Sequence, residues 1–67
     1  MNITVNGEVA AIAAGTTVAR MVADIQGTTA RGMAVAVNGD VVPRSAWNAT
    51  LLRDGDAVEV LTAVQGG

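Results

Sequence analysis

Two Asn-Gly dipeptides constrain the fold of this chain more than any other feature. Asn6-Gly7 follows the alternating segment NITV, and Asn38-Gly39 follows AVAV. Both residue types tolerate the positive φ angles of a type I′ turn, the tight turn that joins two antiparallel strands. We therefore expect a β-hairpin with its return strand over residues 8–12. A third strand and a short return lie around the second turn, and Pro43 ends that return because proline cannot donate to a strand ladder.

Between the two turns, the apolar spacing changes to that of a helix. One apolar stripe at i, i+3, i+4 and i+7 is formed by Val18, Met21, Val22 and Ile25. This spacing predicts an amphipathic helix. Met21 is expected to fill the core rather than to contact a partner. Thr16 or Thr17 is expected to be the N-cap and Gly27 the C′ residue.

The last third of the chain begins with a segment that has no clear period. Ser45 is expected to cap a single helical turn that carries Trp47, the only aromatic residue. Two roles stay open for Trp47, a plug for one end of the core or an anchor for a partner. A turn at Asp54-Gly55 then precedes a strand from about Ala57 to Val64.

Two groups of charged residues in this part have plain interpretations. The Asp54-Gly55-Asp56 turn is only superficially similar to a calcium loop, because the further ligands and the closing glutamate are missing from the sequence. Arg44 and Arg53 are expected to be solvated, with pairing to an acidic partner as the alternative. No metal site is predicted.

These segments predict an α+β fold in which one main helix crosses one face of a mixed sheet of four to five strands. If the last strand runs beside the first, it is central and the hairpins flank it. Residues 1–67 are expected to form a single domain, with 65–67 as a flexible tail.

Composition excludes several classes of function. The chain has 67 residues, no cysteine, no histidine and no lysine. A thiol nucleophile, an imidazole base and a Schiff-base lysine are therefore absent, and an enzyme is not expected. The net charge of −2 argues against nucleic acid as a partner. No apolar run long enough to cross a membrane and no secretory signal is present, so we expect a cytoplasmic protein without membrane contact.

The sequence ends with Gly66 and Gly67. Two residues without a Cβ form a thread that can enter a channel too narrow for side chains, with a carboxylate at its tip that a partner can capture. A carboxylate becomes an acyl donor only after it gains a leaving group, for example by attack on the α-phosphorus of ATP. The cationic groups and Mg²⁺ for that step would have to come from a partner enzyme.

The segment from Gly32 to Gly67 resembles the second half of the sulfur carrier proteins of thiamine biosynthesis, the ThiS family. The opening NITVNGE and the helix start GTTVARMV are similar as well. The matching features are Asn38-Gly39, Val42-Pro43-Arg44, Trp47, Asp54-Gly55-Asp56 and the ending Thr62-Ala63-Val64-Gln65-Gly66-Gly67.

The resemblance implies a β-grasp, ubiquitin-like fold with strand order 2-1-5-3. It also implies that a ubiquitin-activating-like adenylyltransferase uses ATP and Mg²⁺ to adenylate Gly67, while the chain itself holds no permanent cofactor. A cysteine desulfurase system would then supply sulfur for a Gly67 thiocarboxylate, which delivers it to thiazole synthase. Gly66, which has no side chain, would keep the tail narrow enough to pass through a channel.

Other functions with the same tail stay open at this point. A sulfur carrier for molybdopterin synthesis or tRNA thiolation shares the fold and the terminus, as does a ubiquitin-like protein modifier. An interaction module with an incidental tail is the alternative from a different class.

Overall fold

The structure, a computed structural model, describes residues 1–26 and 32–62 of the chain. The segment over residues 43–56 contains a 3₁₀ helix, and the short return after Asn38-Gly39 is a strand in its own right. In chain order the elements are β1 (Asn2–Val5), β2 (Glu8–Ala11), α1 (Val18–Gln26), β3 (Met33–Val37), β4 (Asp40–Val42), the 3₁₀ helix (Arg44–Ala49) and β5 (Ala57–Thr62).

The five strands form one mixed sheet in the order β2-β1-β5-β3-β4. β1 and β5 run parallel, with Val5 opposite Val58. The other neighbours are antiparallel, with Val35 opposite Val60 between β3 and β5. The predicted order 2-1-5-3 is confirmed, with β4 added at the free edge of β3. The last strand is central, as the sequence predicts.

Both Asn-Gly turns have the backbone conformation that the sequence predicts. Asn6 and Gly7 have φ angles of 51° and 85°, and Asn38 and Gly39 have 51° and 87°. Two successive positive φ angles are required by a type I′ turn, and asparagine and glycine adopt them with little strain. The two dipeptides therefore set the β1–β2 and β3–β4 hairpins.

Helix α1 begins at Val18, directly after the second of the two threonines proposed as its cap. The Thr17 hydroxyl accepts a hydrogen bond from the Arg20 amide at 3.2 Å, as an N-cap does. The Thr16 hydroxyl instead donates to the Ala13 carbonyl at 2.6 Å. Gly27, the predicted C′ residue, lies outside the described residues.

The predicted apolar stripe of α1 faces the core along most of its length. Val18, Met21 and Val22 are almost completely buried, which confirms Met21 as a core residue. Ile25 is 42% exposed and lies at the margin of the helix–sheet interface. The core fills the space between α1, the sheet and the 3₁₀ helix, and its buried members are Ile3, Val5, Val18, Met21, Val22, Val35, Trp47, Leu52, Val58 and Val60.

The predicted cap at Ser45 is wrong. The residue that precedes the 3₁₀ helix is Pro43, and no side chain caps its first turn. Pro43 has a φ of −59°, and its carbonyl accepts the Ala46 amide at 2.8 Å, which closes that turn. Ser45 lies inside the helix.

Strand β5 is described as far as Thr62. The sequence predicts a strand that continues to Val64, and residues 63 and 64 lie outside the described residues. Val58 and Val60 are buried against the core, whereas Glu59 and Leu61 are exposed on the other face.

Candidate functional site

The strand that leads to the diglycine is held on both sides. On one side, the Thr4 amide donates to Asp56 and the Asn6 amide donates to Val58, at 3.0 and 2.9 Å. On the other side, β3 pairs with β5 from Val37–Val58 to Met33–Thr62. A central strand with two neighbours is the best-anchored element of a small sheet, because its backbone groups are paired in both directions. The chain therefore leaves the described sheet from a fixed position at Thr62.

The Asn6 side chain extends the contact between β1 and β5 beyond the end of β1. Its Oδ1 accepts a hydrogen bond from the Val60 amide at 2.9 Å. Its Nδ2 donates to the Val60 carbonyl at 3.2 Å. An asparagine carboxamide has both a donor and an acceptor, so it can satisfy both backbone groups of one residue.

The Asn38 side chain makes a similar contact at the beginning of β5. Its Oδ1 accepts from the Ala57 amide at 2.9 Å, and its Nδ2 donates to Oδ1 of Asp56 at 2.9 Å. Each Asn-Gly turn thus contributes a carboxamide to β5. Asn38 holds the entry to the strand, and Asn6 holds the part closest to the exit.

The carboxylates of the turn before β5 are used within the fold. Asp54 Oδ1 accepts a hydrogen bond from the Asn2 amide at 2.8 Å. Asp56 Oδ2 accepts one from the Arg53 amide at 2.8 Å. Among the described residues, no group of three or more acidic, histidine or cysteine side chains has a geometry that could hold a metal ion. The role of these aspartates is to fix the turn.

The outer face of the sheet, on the side away from α1, carries exposed apolar side chains near the exit of β5. Leu61 is 65% exposed and lies opposite Ala34 of β3. Val41 of β4 is also exposed and lies opposite Ala36. Both side chains lie on the same face, on strands that β3 separates, and each provides apolar area for contact with a protein partner. The sequence signal for this side chain is a leucine that alternates with buried valines in β5.

Trp47 belongs to the core. It is 4% exposed, and its indole N–H donates to the Val42 carbonyl at 2.9 Å. The Arg44 guanidinium lies 5.7 Å from the centre of the ring, within the range of a cation–π contact. Of the two roles left open by the sequence, the plug for the core is the one that the structure supports.

Two grooves beside α1 have volumes of about 260 and 270 Å³. Drug-sized ligands occupy pockets of roughly 300–1,000 Å³. No helix in the described ranges is long and apolar enough to cross a membrane.

The two predicted site residues, Gly66 and Gly67, lie outside the described residues, as does the remainder of the tail. Residues 63–67 follow Thr62 directly. A five-residue stretch reaches at most about 18 Å. The predicted site therefore lies within that distance of the end of β5.

Comparison with known proteins identifies the family. The model of the ThiS family matches residues 3–67. The chain belongs to the ThiS family. It is 33% identical over 67 residues to the Sulfur carrier protein ThiS of Escherichia coli (strain K12), and the match covers 100% of both chains.

Solved structures of the same family have the same architecture. A crystal structure of the thiamine biosynthesis protein ThiS from Geobacter metallireducens is 38% identical, with a TM-score of 0.85 over 100% of both chains. An NMR solution structure of a thiamine biosynthesis protein from the same organism has a TM-score of 0.81, also at 38% identity, and covers 100% of this chain and 88% of that one. The predicted β-grasp fold is therefore confirmed.

Proposed function

We propose that this chain is the sulfur carrier for thiazole formation in thiamine biosynthesis, with Gly67 as its carboxyl terminus and as the residue that carries sulfur. The observation that carries the proposal is the family match, which runs through residue 67 and so includes both Gly66 and Gly67. The relative from Escherichia coli that is matched over its full length is named a sulfur carrier protein.

The proposed chemistry begins at the terminal carboxylate. A carboxylate oxygen of Gly67 attacks the α-phosphorus of ATP, the α–β phosphoanhydride bond breaks, and pyrophosphate leaves with Mg²⁺. A ubiquitin-activating-like adenylyltransferase binds ATP and Mg²⁺ and supplies the cationic groups that this charge transfer needs. The terminal sulfur of a persulfide from a cysteine desulfurase system then attacks the acyl carbon of Gly67, the bond between that carbon and AMP breaks, and AMP leaves. A thiol reductant cleaves the resulting S–S bond and is itself oxidised to a disulfide, which leaves a Gly67 thiocarboxylate that delivers its sulfur to thiazole synthase.

This chain contributes presentation and recognition rather than catalysis, so we propose a carrier and not an enzyme. The central strand β5 holds the point from which the terminus is presented, and Gly66 allows it to pass through a narrow channel. Exposed Leu61 offers apolar contact area beside that point. In the same proposal, residues 1–67 form one β-grasp domain with a flexible tail at 65–67, and the protein works in the cytoplasm.

The test is the mass of the intact protein isolated from its host. We expect a fraction that is heavier by the difference between sulfur and oxygen. Addition of one alanine after Gly67 should abolish this fraction, because the reactive carboxylate then lies beyond the position that the adenylyltransferase recognises. The matched control is Gln65→Ala, which keeps the chain length and both glycines and should be loaded normally.

The result that would overturn the proposal is sulfur loading of the extended chain. The pathway is tested by deletion of the gene. A thiazole supplement should restore growth of the deletion strain, whereas a requirement for molybdenum cofactor instead would assign the carrier to the other pathway.

A further inference from the structure

The backbone of β1 pairs with only the first part of β5. The Asn6 amide makes the last backbone contact, to the Val58 carbonyl at 2.9 Å. The chain then enters the Asn6-Gly7 turn with both φ angles positive and leaves the edge of β5. Beyond this point, the backbone of β1 has no further residue to offer to Val60.

The Asn6 carboxamide replaces the backbone hydrogen-bonding groups that β1 does not offer to Val60. In a regular ladder the Val60 amide and carbonyl would pair with backbone groups of the neighbouring strand. Here they pair with Oδ1 and Nδ2 of Asn6, at 2.9 and 3.2 Å. The side chain therefore takes the place of a peptide group, at a sequence separation of 54 residues.

This contact lies close to the point where the tail begins, and its proposed role follows from that position. Val60 is two residues before Thr62, where the described part of β5 ends, and β3 holds the opposite edge through the pair Met33–Thr62. We propose that Asn6 is a positioning residue for the carboxyl terminus: its carboxamide fixes the exit of β5, and so the point from which Gly67 is presented to the activating enzyme. This inference rests on the proposed function.

Asparagine is the residue that this position requires. Its φ of 51° lies in the left-handed region, which asparagine, aspartate and glycine adopt more readily than other residues. Of these three, asparagine alone has the donor for the Val60 carbonyl and the acceptor for the Val60 amide. In Asn6→Asp the Val60 amide keeps an acceptor, but the donor is replaced by a carboxylate oxygen that repels the Val60 carbonyl. The substitution therefore weakens the contact and leaves the turn.

The chain contains a matched control in Asn38. It occupies the same position in the other Asn-Gly turn, has the same φ of 51°, and also places its carboxamide on β5. Its contact is to Ala57, at the entry to the strand rather than the exit. Asn38→Asp puts a second carboxylate beside Asp56 Oδ1, which accepts the Asn38 Nδ2 bond at 2.9 Å. It should therefore destabilise the fold at least as much as Asn6→Asp.

The experiment measures AMP transfer from ATP to the full-length chain by the adenylyltransferase of the same host, at temperatures where circular dichroism shows every variant to be folded. For Asn6→Asp we expect kcat to fall about tenfold or more, because the terminus is less often aligned with the α-phosphorus. KM should change by less than about twofold, since the substitution changes none of the exposed apolar side chains that offer contact area to the enzyme. Asn38→Asp should keep both constants near those of the wild type.

A second readout tests the contact itself. Amide relaxation by NMR should show increased motion at Leu61 and Thr62 in Asn6→Asp, and no such increase in Asn38→Asp. If Asn6→Asp does not fold, the pair Asn6→Gly and Asn38→Gly replaces it, because glycine keeps the positive φ without strain and removes the carboxamide.

The outcomes distinguish failure of the positioning role from failure of the proposed function. Equal kcat for the wild type and Asn6→Asp would overturn the positioning role and leave the proposed function standing. An equal loss of kcat in the Asn6 and Asn38 variants would also overturn it, since the effect would then follow stability. A wild-type chain that accepts no AMP would overturn the proposed function, and this inference with it.

Discussion

Trp47 shows how much of the stability of this chain depends on one side chain. It is the only aromatic residue, it is buried, and it bonds to the Val42 carbonyl while Arg44 covers its ring. Removal of a buried tryptophan side chain costs about 3–5 kcal/mol. A domain of this length is stable by only about 3–10 kcal/mol in total. We expect Trp47→Ala to remove most of the stability, as measured by urea denaturation.

The control at the same position is Trp47→Phe. It keeps an aromatic ring in the core but loses the indole N–H, so we expect a smaller loss, of about 1–3 kcal/mol. If Trp47→Ala unfolds at nearly the wild-type urea concentration, the tryptophan is not a core plug. The sequence left two roles open for this residue because size and polarity are the same for a plug and for a partner anchor. Only its burial separates them.

At the level of the helix, the N-terminal cap is the feature that can be tested most directly. The Thr17 hydroxyl accepts the Arg20 amide, and the Thr17 carbonyl accepts the first helical bond from Met21 at 3.0 Å. Thr17→Ala should destabilise the protein by about 1 kcal/mol. Thr17→Ser should be close to neutral, and Thr16→Ala should cost less because its hydroxyl bonds outside the helix. Equal losses at both threonines, measured by urea denaturation, would contradict this assignment of the cap.

The elements that could be predicted from the sequence are those whose signals are local. The Asn-Gly turns and the apolar spacing of α1 each lie within one short segment, and the structure confirms both. The sequence predicts the place of the 3₁₀ helix but the wrong cap, Ser45, because this short segment has no period that distinguishes one starting residue from the next. The carboxamide contacts of Asn6 and Asn38 to β5 were not predictable, since they join residues 54 and 19 positions apart.

At the scale of the whole molecule, the central strand of the sheet has two paired neighbours, whereas each edge strand has one. β5 is bonded to β1 and β3, whereas β2 and β4 are edge strands. Two sets of amides with similar hydrogen bonds report on the difference. The Thr4 amide donates to Asp56, directly before β5, at 3.0 Å, and the Asn6 amide donates to Val58 in β5 at 2.9 Å. The Ile12 amide donates to Met1 at the end of the first hairpin at 2.8 Å.

Native-state hydrogen exchange should separate these amides although their bonds are equally short. Local opening of an edge exposes its amides without unfolding the core, so Ile12 should exchange faster than Thr4 and Asn6, which should exchange only on global unfolding. Equal protection of all three would mean that the hairpin and the centre unfold as one unit. The expected order has a functional reason in the proposed role. A carrier that presents its terminus to a partner enzyme needs its most stable strand to be the one that leads to that terminus, and β5 occupies this position.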